Sequence, residues 1–166
     1  MRRMLTAVTG AALMAAAIGF AAPASAMVAA DVQAIRLSAP YAQAPTDVVV
    51  VAKLTQTSYE NISLNIALHG FRAHQVFAYG DGQCPTSVAV VDAPVTVFEC
   101  GWQEEGGIAK LRLALEGTMP SGKVKVRIKS DAVTAPARAG TYRVTMSSWA
   151  FDKVITKIAI TSGPFK

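Results

Sequence analysis

Lys123-Val124-Lys125-Val126-Arg127-Ile128-Lys129 alternates cationic and apolar side chains without a break. Only an extended strand, whose successive side chains point to opposite faces, puts Val124, Val126 and Ile128 on one side and every cation on the other. The segment therefore predicts a half-buried β-strand and sets the period for reading the rest. Leu111, Leu113 and Leu115 alternate with Lys110 and Arg112, and Ile62, Leu64, Ile66 and Leu68 alternate with Ser63, Asn65 and Ala67. Both stretches predict strands of the same kind.

Working outward, Val48 to Val51 is apolar on both faces, as a strand in the middle of a sheet is. Val32 to Ser38 precedes it across a loop containing Pro40 and Pro45. Thr57 to Asn61 reads as a turn, and Tyr79-Gly80-Asp81-Gly82 as a tight turn before a short strand at Ser87 to Val91. Val95 to Trp102 predicts a strand with Thr96, Phe98, Cys100 and Trp102 on one face. Gly106-Gly107 opens the next strand, and Glu116 to Gly122 and Ser130 to Gly140 read as loops. Strands carrying Tyr142, Val144 and Met146, and then Lys153 to Thr161, complete the chain. Short strands at this spacing, separated by Gly and Pro turns, predict an all-β fold: an Ig-like antiparallel sandwich of about eight or nine strands.

The first 26 residues have a different character. Arg2 and Arg3, an Ala-rich apolar run from Leu5 to Phe20 and Ala24-Ser25-Ala26 make the three parts of a secretory signal peptide, with the mature chain expected to begin at Met27. The run is too short for a convincing membrane span, so no stable insertion is expected after cleavage. What remains, residues 27–166, is the size of one domain. Losing two arginines from 16 basic residues against 11 acidic ones leaves a net charge of about +3. That is too sparse for a nucleic-acid footprint but compatible with attraction to anionic wall polymers.

Cys84 and Cys100 are the only cysteines, and in an exported chain the pair reads first as a disulfide. The competing reading, a redox or metal pair, lacks a Cys-x-x-Cys spacing and a neighbouring His. The two histidines, His69 and His74, do not supply the three or four donors zinc needs. No nucleophile elbow is present, and Glu104-Glu105 are adjacent, so they cannot flank a glycosidic bond. The chain reads as a non-enzyme, and no cofactor is implied.

Gly82-Gln83-Cys84, Val97-Phe98-Glu99-Cys100-Gly101-Trp102, Gly106-Gly107 and the alternating strand to Leu115 together resemble the Ig-like repeat modules of bacterial surface proteins. The resemblance spans residues 47–130 and implies an Ig-like fold with a spacer or adhesive role. The Asn-x-Gly-Pro turn and Leu-Pro-x-Gly segment common in those modules are absent. Ala78 to Cys84 also resembles the turn before the first cysteine of the secreted enediyne-carrying apoproteins, which implies that such a sandwich can hold an apolar ligand in an end cleft.

The candidate binding residues are the cations of the opening segment, Lys123, Lys125, Arg127 and Lys129. If the preceding strand pairs with it as a hairpin, Lys110 and Arg112 join them in one patch. The expectation is a secreted, non-catalytic protein that contacts an anionic cell-wall polymer or surface protein through this face. The alternatives are a face that only keeps the sheet soluble, or a diffusible carrier of a small apolar ligand or an inhibitor.

Overall fold

The computed structural model describes residues 30–54, 60–74, 76–80, 84–119, 121–149 and 151–163. The expected leader, residues 1–26, and most of the turn at 57–61 lie outside them. Among the described residues the chain is all-β. Its strands are β1 (Ala30–Leu37), β2 (Val48–Leu54), β3 (Glu60–His69), β4 (Arg72–Ala73), β5 (Val88–Val91), β6 (Thr96–Glu105), β7 (Ile108–Thr118), β8 (Gly122–Ile128), β9 (Val133–Thr134), β10 (Gly140–Ser148) and β11 (Phe151–Ile160).

Two antiparallel sheets form the body: a four-stranded sheet in the order β1-β2-β8-β5 and a five-stranded sheet in the order β11-β10-β3-β7-β6. The two-residue strands β4 and β9 pair separately. One core joins the two sheets: Val48, Val50, Val124, Val126 and Ile128 from the first, with Ile62, Leu64, Ile66, Leu68, Leu111, Leu113, Leu115, Val144 and Met146 from the second. The alternations read from the sequence are therefore the inward faces of β8, β3 and β7. Val51 and Ala52 are buried as well, as expected of an interior strand.

Gly106 and Gly107, both at positive φ (59° and 71°), close the two-residue turn between β6 and β7. Hairpins favour this turn because its twist matches that of the flanking strands, and glycine adopts it without steric cost. The predicted loop at Glu116 to Gly122 is shorter than expected, since β7 runs on to Thr118 and β8 begins at Gly122. Met119, 1% exposed, sinks into the core between them as the chain crosses from one sheet to the other.

Two expectations need correction. β7 already has β3 on one side and β6 on the other, so neither of its edges is open to β8, and the expected β7–β8 hairpin does not form. Also, Phe98 does not share the inward face of Cys100 and Trp102. Val97 faces Leu115 and Glu99 faces Ala114, so a β-bulge at Phe98 resets the alternation. Phe98 is left 70% exposed while Cys100 and Trp102 are buried.

Candidate binding face

The six cations of the expected patch are split between the two sheets. Lys125 and Arg127 lie on the outer face of the four-stranded sheet, while Lys110 and Arg112 lie on the outer face of the five-stranded sheet. Lys129 follows β8 with its side chain exposed and its N–H bonded to the Ser87 carbonyl (2.8 Å). Lys123 faces Lys53 in the ladder, and its side chain lies outside the described structure.

On the four-stranded face two of the positive charges, Lys125 and Arg127, are matched by acids. Lys125 pairs with Asp92, and Arg127 donates to Asp47 Oδ2 at 2.9 Å. The other oxygen of Asp47 accepts the Ser130 N–H at 2.9 Å. The Arg127 hydrogen bond, then the Ser130 N–H, hold the Asp47 carboxyl below its ordinary pKa. The ladder places Lys125 between Val51 and Val91, and Arg127 between Val49 and Ala89, so no two cations of this described group face each other.

The five-stranded face differs. Asn65 and Ala67 of β3 face Arg112 and Lys110 of β7, which face Gly101 and Gln103 of β6. On the other side Ala67 faces Thr145 and Asn65 faces Ser147 of β10. Met146 faces Val154 and Ser148 faces Phe151, so two residues of β11 stand opposite Ser147, and one of them is Lys153. Bulges of this kind re-aim side chains. Together these residues line a groove of about 350 Å³ in which the small Ala67 lies between longer side chains.

Tyr79 forms one wall. Its segment is fixed by paired backbone bonds between Phe77 and Trp102 (2.9 and 3.0 Å) and, further along, by the Cys84–Cys100 disulfide. The pairing of the two cysteines was legible from the sequence. A Cβ on Gly101 would come within 2.9 Å of the Tyr79 backbone nitrogen, so glycine is what lets this segment lie against β6. The Arg112 guanidinium sits 3.9 Å from the Tyr79 ring centroid. Burial, then the hydrogen bond with Glu99, push the Tyr79 hydroxyl above its ordinary pKa.

The charge on this face comes mainly from residues the sequence reading did not single out. Val144 points into the core, so Arg143 and Thr145 point outward, and the ladder sets Arg143 opposite Lys157. Lys110 is paired with Glu105, but among the described residues Arg143, Lys153 and Lys157 have no ion-pair partner. Burial, then the charges of Arg143 and Lys153, lower the pKa of His69 from its ordinary 6.5. The signal for this cluster was the outward set Lys153, Ile155 and Lys157, whose neighbours follow only from strand order.

His74 is bonded to Thr134, and the Glu104 carboxylate accepts the Ala73 N–H. Among the described residues no group of His, Cys, Asp or Glu is arranged to hold a metal ion, and none of their helices is long and apolar enough to cross a membrane.

No family model matches the chain, and no curated protein is similar to it. Among solved structures it is similar to BslA, a bacterial hydrophobin, at 14% identity and a TM-score of 0.51, covering 81% of this chain and 100% of that one. At that identity the likeness is one of fold, and it agrees with the all-β architecture.

Proposed function

We propose that this is a secreted, non-catalytic binding protein that contacts anionic surface polymers through the outer face of its five-stranded sheet. The observation that carries this reading is the clustering of Lys110, Arg112, Arg143, Lys153 and Lys157 on one face, with Glu99 and Glu105 as the acids beside them. Arg143 directly opposite Lys157 is a cross-strand repulsion that an anionic partner would relieve. The β8 stripe, with Lys125 and Arg127 already neutralised, serves to keep its sheet soluble.

The same reading takes the domain as Ig-like. The order β1-β2-β8-β5 over β11-β10-β3-β7-β6 fills the spatial positions A-B-E-D and G-F-C-C′-C″ of a variable-type immunoglobulin sandwich. Here the chain visits the D position first, then C″, then C′. At the F position the Tyr142 hydroxyl donates to the Arg138 carbonyl at 2.8 Å, in the manner of a tyrosine corner. The disulfide is not the usual one between strands B and F, and this also sets the domain apart from the ordinary pattern.

A hydrophobin-like role would call for a contiguous apolar patch. The exposed large hydrophobics among the described residues instead come from separate elements. Phe98 and Ile155 stand on opposite edge strands of the five-stranded sheet, Val91 on an edge strand of the other, and Tyr41, Val76 and Trp149 outside the strands. The test is retention of the exported protein on isolated cell walls at low and raised salt. Retention should be released by salt, abolished by Arg112→Glu with Lys153→Glu, and preserved by Lys125→Glu with Arg127→Glu. Retention indifferent to the first pair overturns the reading, and protein free in the medium at low salt points instead to a diffusible carrier.

A further inference from the structure

We propose that the ligand of this groove is an acidic polysaccharide whose chain lies across the strands, with carboxylates at Lys153 and Arg112 and hydroxyl groups between them. The inference rests on the binding face proposed above and specifies its chemistry. One ladder row reads Lys153, Ser147, Asn65, Arg112, and then Gly101 with Tyr79 above it. Its two cations are three strand spacings apart, roughly 14 Å. The side chains between them, a hydroxyl and an amide, both donate and accept hydrogen bonds, and they suit a ligand segment that is uncharged and rich in hydroxyls. A guanidinium at one end offers a two-pronged donor matched to a carboxylate.

The neighbouring row reads Ile155, Thr145, Ala67, Lys110 and Gln103, with a single cation and polar groups on either side of Ala67. Ala67 keeps the middle of the groove low, while Tyr79, lying over Gly101, raises the wall at its end, which leaves room for a chain one sugar wide. Other polyanions fit less well. A single-stranded nucleic acid is held largely by stacking on free aromatic faces, whereas Arg112 lies across the Tyr79 ring. A lipid surface is flat and gives the buried Thr145 and half-buried Ser147 that line the groove nothing to bond.

Calorimetric titration of the exported protein with polygalacturonate, with the same polymer after methyl esterification, and with phosphatidylglycerol vesicles tests the assignment. Polygalacturonate should bind, and esterification should abolish binding. Arg112→Gln should weaken it roughly tenfold or more, as expected for loss of a hydrogen bond to a charged group. Asn65→Ala and Ser147→Ala should each weaken it by a few-fold with the melting temperature unchanged, while Lys125→Gln should leave it intact. Binding to vesicles without binding to the polymer overturns the polysaccharide assignment. So does polymer binding insensitive to Asn65→Ala and Ser147→Ala. If wall retention still depends on Arg112 and Lys153 in either case, the charged-face reading stands without the polysaccharide; if it does not, both fall.

Discussion

The two outer faces of this molecule carry similar numbers of cations, and each face treats its central pair in the opposite way to the other. On the four-stranded sheet the acids are placed to match: Asp92 reaches Lys125, and Asp47 joins Arg127 to the Ser130 N–H. On the five-stranded sheet Arg143 is set against Lys157 with no acid between them, and small residues hollow out the centre. Charge on a sheet face thus carries little information until its partners are known. The matched part of the first face, around Lys125 and Arg127, costs little to maintain, although Lys53 faces Lys123 further along it. The Arg143–Lys157 repulsion of the second face, by contrast, is one that an anionic ligand would relieve.

The largest expected effect comes from undermining the unmatched face from below. Trp102 is fully buried, its ring N–H donates to the Ala132 carbonyl at 3.1 Å, and its backbone carries the Phe77 segment that leads to Tyr79. Trp102→Ala should cost about 3–5 kcal/mol from the lost burial and the cavity left behind, and it also removes one of the two donors to the Ala132 carbonyl, which keeps the His74 N–H at 2.8 Å. Chemical denaturation measures it; a loss under about 1 kcal/mol would mean that Trp102 does not support this face.

Next is the covalent tie. Cys84 and Cys100 are 16 residues apart, and closing a loop of that size stabilises a fold by about 3 kcal/mol in the chain-entropy model. Replacing both with Ser should lower stability by about that amount and loosen the Tyr79 wall more than anything on the four-stranded face. Amide exchange should then accelerate at Phe77 and Trp102 but not at Val49 or Arg127. Uniform acceleration would show that the tie supports the whole core rather than one wall.

Much of this fold was legible because burial and strand period are local properties. Val124, Val126 and Ile128, or Leu111, Leu113 and Leu115, announce their inward face from sequence alone. The bulge at Phe98 was not legible, because an extra residue in one strand shows only against its partner. The candidate face was half legible for a related reason. Lys110 and Arg112 were read correctly as outward, but their neighbours depend on which strand lies beside which. With both edges of β7 occupied, their companions come from β10 and β11, remote in sequence.

A smaller effect belongs to the matched face. Asp47→Ala removes one partially screened ion pair and one bond to a backbone N–H, and should cost about 1 kcal/mol near neutral pH. Because the folded state holds this carboxyl below its ordinary 3.8, the stabilisation is present above that value. It is lost as pH falls through the lower folded value. The variant should therefore differ from the parent at pH 7 and converge with it in strong acid. A gap that persists undiminished at low pH would assign the loss to packing instead of charge.

The smallest effect sharpens the contrast most, because it reads the unmatched face directly. The pKa of His69 is lowered by burial and by Arg143 and Lys153, so above its ordinary 6.5 the ring is neutral in both folded and unfolded chains and contributes nothing to pH dependence. As pH falls below 6.5 the unfolded chain takes up a proton that the folded chain resists, so stability declines until the folded ring also titrates. His69→Gln should flatten that decline. An anion at Lys153 offsets one of those two cations, so it should raise the His69 pKa, and by linkage its binding should tighten as pH drops from 7 toward 5.5. NMR titration of the imidazole with and without polygalacturonate measures this, with His74, bonded to Thr134 away from the groove, as the internal reference. A His69 pKa unmoved by the bound polymer would place the anion on another surface, and the difference between the two faces would then be one of stability alone.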